Sequence, residues 1–189
     1  HGEKRTYLWA GLVIGIALGT KYSGGALLIP LGLAHFYQVW SQDRKNFHNL
    51  FDKRIGIAIL MIFIGFMLSC PFSLIDFQTF FRDLVWQFGR VHSGSFGTDV
   101  ENGWIYYLIQ GLPNSLGIGL AAVSILGVLY ALLRHRGEEI LITSFVLFYI
   151  GYIGSWKIGV DKYLLPILPF LTLLAASLIF GVLYRIERL

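Results

Sequence analysis

Charge is scarce in this sequence. Asp, Glu, Lys and Arg together make up 14% of it, where a soluble domain carries about a quarter. Cysteine is scarcer still. Cys70 stands alone, which excludes an intrachain disulfide, and no run of His, Cys, Asp and Glu has the spacing of a metal site. A concentrated basic patch is missing as well. The net charge of +4 is spread over several short segments, so the footprint of a nucleic-acid-binding domain is absent. The chain starts at His1, with no methionine and no signal-like charged, apolar and cleavage regions. It therefore reads as a fragment of a longer protein, with residues needed for chemistry expected upstream.

What the chain has in excess is apolar residues, at 56% hydrophobic and a mean hydropathy of +0.65. They come in blocks rather than in amphipathic alternation. Six blocks can be drawn, at 7–19, 23–40, 55–72, 115–133, 139–156 and 164–183, and five of them have the roughly 17 to 25 residues that cross a bilayer core. The expected fold is an all-α polytopic transmembrane bundle of about six helices, forming one transmembrane domain over 1–189. Residues 73–114 are expected as an outer loop that carries an amphipathic interfacial helix.

Basic residues set the orientation. With a cytoplasmic start and alternating blocks, Lys4, Arg5, Arg44, Lys45, Lys53, Arg54, Arg134, Arg136, Arg185 and Arg188 lie inside, and Lys21, Arg82, Arg90, Lys157 and Lys162 lie outside. The excess obeys the positive-inside rule and leaves no Lys or Arg at mid-membrane. The inner connections are short: 41–54 has Phe47, Leu50 and Phe51 at helical spacing, which suits an interfacial helix, and RHRGEE (134–139) is a tight turn.

The outer side is richer. In FQTFFRDLVWQFGRV, Phe77, Phe80, Phe81, Leu84, Val85 and Phe88 recur at i, i+3 and i+4, the mark of an amphipathic helix. HSGSFGTDVENG reads as loop, and Trp104, Tyr106 and Tyr107 as an aromatic belt at the interface. Two shorter outer connections, GTKYSGG (19–25) and SWKIGVDKYLLP (155–166), add lysines and tyrosines to the same face. Such cations can hold phosphate as point charges, or serve as snorkelling anchors. No unusually strong small-xxx-small face stands out among the many glycines, which leaves oligomeric state unread. A polytopic transporter or lipid flippase, or a non-catalytic membrane subunit, fits the same composition. Against the transporter stand the lack of a clear internal repeat and the placing of charge at helix ends.

In order along the chain, GTKYSGGALLIPLGLAHF, a basic loop, an apolar block ending in proline, RVHSGSFG, WIYYL and DKYLLPILPFLTLLAA resemble the membrane glycosyltransferases of the GT-C fold. The likeness is to the prokaryotic relatives of the protein O-mannosyltransferases and to the lipid A aminoarabinose transferase. The resemblance implies a glycosyltransferase that moves a sugar from a polyprenyl-phosphate donor to a protein, lipid or glycan acceptor, with inversion. It also implies a multi-pass plasma (inner) membrane protein whose active face is periplasmic or extracellular. The catalytic acidic residue is expected upstream, in a loop after the first membrane helix. Carried over by position, Lys21, Tyr22, Arg90, His92, Lys162 and Tyr163 are implied to face the donor phosphate and sugar. No cofactor is assigned. A divalent metal held through His92 is an open alternative.

Overall fold

Residues 3–42, 52–94 and 98–188 are described by the computed structural model. They are all-α, with one isolated bridge between Asp99 and Ile158. In chain order the elements are α1 (Lys4–Thr20), a 3₁₀ turn (Tyr22–Leu27), α2 (Leu28–Gln42), α3 (Lys53–Ser69), α4 (Phe72–Ile75), α5 (Phe77–Ser93) and α6 (Gly103–Ile105). A π-helical turn (Tyr106–Gly111), α7 (Leu112–Leu116), α8 (Ile118–Arg134), α9 (Gly137–Gly154), a 3₁₀ turn (Asp161–Tyr163) and α10 (Leu168–Ile186) follow. The interfacial helix expected within 41–54 lies largely outside the described residues.

Each of the six apolar blocks contains a helix, but their lengths differ from expectation. Among the described residues α9, with 18 residues, and α10, with 19, are long and apolar enough to cross a membrane. Helices α1, α3 and α8 have 17 residues each and α2 has 15. The shortening has local causes. Residues 22–27 are wound as a 3₁₀ turn because Gly24 folds back on α1: a Cβ there would lie 2.6 Å from the Ala17 carbonyl carbon. Gly117 adopts φ +77° before α8, a conformation that favours glycine. Pro169 occupies the first turn of α10, where a missing N–H costs nothing. The helix therefore starts at Leu168 rather than at 164.

The segment 73–114 carries more helix than the one expected in it: most of α4, all of α5 and α6, and the π-helical turn. The amphipathic helix is present as α5, with Phe77, Phe81, Val85 and Phe88 exposed along it. Of the three aromatics read as a belt, Trp104 is 45% exposed and Tyr106 half-buried, whereas Tyr107 is fully buried, its ring packed inside the protein.

The chain divides into two compact units, His1–Leu84 and Val85–Leu189. In the first, α1 and α3 pack along glycines that the sequence reading passed over. Gly11, Gly15 and Gly19 recur every fourth residue of α1, and Gly65 answers from α3. A Cβ at Gly15 would stand 2.2 Å from the Ile62 carbonyl oxygen, and one at Gly65 would stand 2.4 Å from that of Leu12. Small residues at this spacing let two helix backbones approach closely, so that van der Waals packing carries the contact.

In the second unit α8 turns a small face, Ala121, Ser124, Gly127 and Ala131, into the interior. A Cβ at Gly127 would lie 2.5 Å from the Leu174 carbonyl oxygen of α10. Helix α8 ends at His135, which is in the left-handed region (φ 55°), and α9 starts two residues later; RHRGEE is indeed a tight turn. Of the apolar span of α10 only 17% is buried inside the chain, and of that of α9 39%.

Candidate functional site

The second unit gathers its polar chemistry at the segment between α9 and α10. Residues 157–159 are pinned by backbone bonds: the Lys157 N–H donates to the Val91 carbonyl at 2.9 Å, the Val100 N–H to the Lys157 carbonyl at 2.9 Å, and the Gly159 N–H to the Thr98 carbonyl at 2.9 Å. The close fit requires glycine at 103, where a Cβ would fall 2.5 Å from the Trp156 carbonyl oxygen and 2.6 Å from that of Gly154. Residues 156–159 thus meet two stretches distant from them in sequence, the end of α5 and residues 98–103.

Side chains complete the anchoring. Tyr106 Oη donates to Asp161 Oδ1 at 2.8 Å and Asn114 Nδ2 donates to Oδ2 at 3.3 Å. Tyr107 Oη donates to the Ile158 carbonyl at 2.8 Å, and Tyr149 Oη to that of Tyr163 at 2.9 Å. Burial, helped by the neighbouring Asp161 carboxylate, pushes the Tyr106 hydroxyl up to about 12. The phenol therefore stays a neutral donor. Each such bond contributes about 1 kcal/mol, and together they hold Asp161–Tyr163 as a fixed ledge.

On that ledge Lys162 and Tyr163 are brought together. Lys162 is exposed with Nζ 5.5 Å from the centre of the Tyr163 ring. Tyr163 in turn meets Trp156 edge-on at 5.1 Å. The indole N–H of Trp156 is buried and has no acceptor among the described residues.

Arg90 lies in the last turn of α5, next to Val91, whose carbonyl holds Lys157. Its guanidinium sits 5.4 Å from the Trp86 ring. His92 is exposed, with Nδ1 2.8 Å from the Phe88 carbonyl oxygen. That bond engages one ring nitrogen, and among the described residues no group of three His, Cys, Asp or Glu side chains is placed to hold a metal. Among the described residues, those around His92 do not fit a metal centre.

Lys21 and Tyr22 belong to the first unit. Lys21 ends α1 with extended backbone, its N–H on the Ala17 carbonyl at 2.9 Å, and its own carbonyl accepts from the Gly24 N–H at 2.8 Å. Its side chain is exposed. The Tyr22 ring packs edge-on against Phe80 at 6.4 Å, and Phe80 against Phe66 at 6.1 Å. The GTKYSGG stretch is thus a stiff turn with its lysine at the surface.

Two features were not singled out from the residues. Asp161 is bonded by partners 55 and 47 positions away, a pairing no local pattern carries. His35 lies within an apolar block, which was a readable signal because an ionisable residue in such a block is a functional candidate by default. It is 4% exposed, with Nδ1 2.8 Å from Tyr7 Oη. No family model, curated protein or solved structure matches this chain.

Proposed function

We propose that this chain is the membrane-embedded part of a glycosyltransferase that passes a sugar from a polyprenyl-phosphate donor to an acceptor at the outer membrane face, with inversion. The observation that carries the reading furthest is the ledge: a fixed lysine–tyrosine pair, Lys162 and Tyr163, on a segment tied to the turn of α5 that bears Arg90. Membrane embedding draws support from the glycine-mediated crossing of α1 and α3, and from α9 and α10, whose apolar spans are mostly unburied by the chain itself. A core helix of a soluble protein would be covered.

The chemistry follows from charge. When the glycosidic bond breaks, the leaving phosphate gains negative charge, and a preorganised cation stabilises that gain more in the transition state than in the ground state. In this reading Arg90 and Lys162 of the second unit meet the phosphate, Tyr163 lines the donor head group and His92 helps hold the acceptor; for Lys21 and Tyr22 of the first unit a role toward the donor rests on the resemblance alone. The resemblance puts the acidic group that activates the acceptor upstream, so Asp161, already engaged by Tyr106 and Asn114, is assigned no catalytic role. The test supplies a radiolabelled polyprenyl-phosphate sugar to membranes containing the full-length protein. Formation of a glycoside of inverted anomeric configuration is expected; no donor turnover with any acceptor class, lipid, protein or glycan, overturns the reading.

One observation favours a transporter as the second reading. The buried pair of Tyr7 and His35, joined by Gln38 Oε1 at 3.1 Å from Tyr7 Oη, lies beside a groove of about 360 Å³ between α1 and α2. Uptake into proteoliposomes that is lost in His35→Ala supports this alternative, and its absence alongside sugar transfer excludes it.

A further inference from the structure

The end of the second unit opposite the ledge carries a different feature. Where α8 and α10 finish, an open groove of about 970 Å³ is lined by four arginines, Arg134, Arg136, Arg185 and Arg188, with the tyrosines Tyr130 and Tyr184 between them. Among the described residues Glu187 is the one carboxylate in the lining. The arginines are not a loose fringe. Arg134 is held 3.5 Å from Glu139, which accepts from Ser177 Oγ at 2.7 Å, and its guanidinium lies 5.5 Å from the Tyr130 ring. Arg188 sits 4.3 Å from the Tyr184 ring and donates to the hydroxyl of Tyr184. Gly181 makes room for Tyr130, since a Cβ there would stand 2.3 Å from the phenol oxygen. The floor of the groove is thus shaped by a specific glycine–tyrosine contact.

Snorkelling alone accounts for arginines at a helix end. It does not account for four of them converging on one concave surface, two stacked on tyrosines. Guanidinium forks match phosphate oxygens two at a time, and basic pockets between helices on the cytoplasmic side are suited to anionic head groups. The negative ends of α8 and α10 point here and disfavour an anion, so the arginines must supply the attraction. Arg136, Arg185 and Arg188 are exposed and able to close on a ligand.

We infer that this groove is a phosphate-binding site, taking the phosphate group of an anionic lipid head group or of a soluble phosphate. It is a site separate from the ledge, and only its assignment to the inner leaflet rests on the orientation used above. Two arms separate the sources. The purified chain, in nanodiscs of phosphatidylcholine with and without phosphatidylglycerol, is extracted and its retained lipids are counted by native mass spectrometry. The same chain in neutral detergent is titrated with inorganic phosphate by calorimetry.

Retention of phosphatidylglycerol over phosphatidylcholine by about tenfold, lost in Arg136→Gln/Arg185→Gln/Arg188→Gln and kept in Arg82→Gln, assigns the site to a lipid. Binding of inorganic phosphate that the triple variant loses assigns it to a soluble ligand. Circular dichroism checks that the triple variant keeps its helix, and the single variant Arg188→Gln gives an intermediate loss. Wild-type indifference in both arms, or equal binding by wild type and a folded triple variant, overturns the site. Sugar transfer is not a readout here, so this site fails or stands independently of the proposed reaction.

Discussion

Tyr106 shows how much one side chain does in this chain. Its hydroxyl donates to Asp161, and the price of ionising it falls on the ledge. With the hydroxyl raised from 10.0 to about 12 in the folded protein, the sign is settled: the bond's contribution is complete below pH 10 and is lost as pH rises through about 12. Absorbance of tyrosinate, followed together with near-ultraviolet circular dichroism of the Trp156–Tyr163 contact, should change in that window, and Tyr106→Phe should remove one phenol from the late-titrating set, in which buried Tyr107 is also raised. If tyrosinate in the wild type forms with no component above the ordinary range, the Tyr106–Asp161 bond is not what holds the ledge.

Among elements, the α1–α3 pair makes the sharpest stability prediction. Gly15→Leu drives a side chain into the Ile62 backbone, while Gly32 and Gly56 have open space at the same test. Gly15→Leu should destabilise the pair by about 1 to 3 kcal/mol, read as a lower midpoint of thermal unfolding in detergent. Gly32→Leu should leave the midpoint within experimental scatter. Equal effects of the two variants would mean that the helices do not cross at these glycines.

The same elements show what the residue string carried. Apolar blocks located α1, α3, α8, α9 and α10 because composition alone separates them from the connections, and the 3.6-residue period located α5. The GxxxGxxxG row of α1 was present in the letters, hidden among 22 glycines that only a packing partner distinguishes. The ledge was legible in part. Lys162 and Tyr163 stand out as a basic–aromatic pair, whereas the bonds from Val91, Thr98, Tyr106 and Asn114 are long-range and leave no periodic trace. The buried Tyr107 was misplaced because an aromatic pair beside an apolar block has the same composition at an interface as in a core.

For the whole molecule, the orientation is the claim on which the function depends. In a Cys70→Ser background, Lys157→Cys should react with a membrane-impermeant maleimide added to intact cells, and Arg136→Cys should react only after the membrane is opened. Labelling of both positions from outside would contradict a chain that crosses the bilayer between them.

The reaction itself is tested most directly by comparing transfer rates from a polyprenyl-phosphate sugar at saturating acceptor, in membranes containing equal amounts of the full-length wild type and of the Lys21→Ala and Lys162→Ala variants. Loss of one charge-assisted phosphate contact removes about 1.5 to 3 kcal/mol. The wild type should therefore transfer sugar, and each variant should be slower by about tenfold to a hundredfold. Sugar transfer by both variants at the wild-type rate would contradict the phosphate role given to these lysines, and no transfer by the wild type would contradict the assignment as a glycosyltransferase.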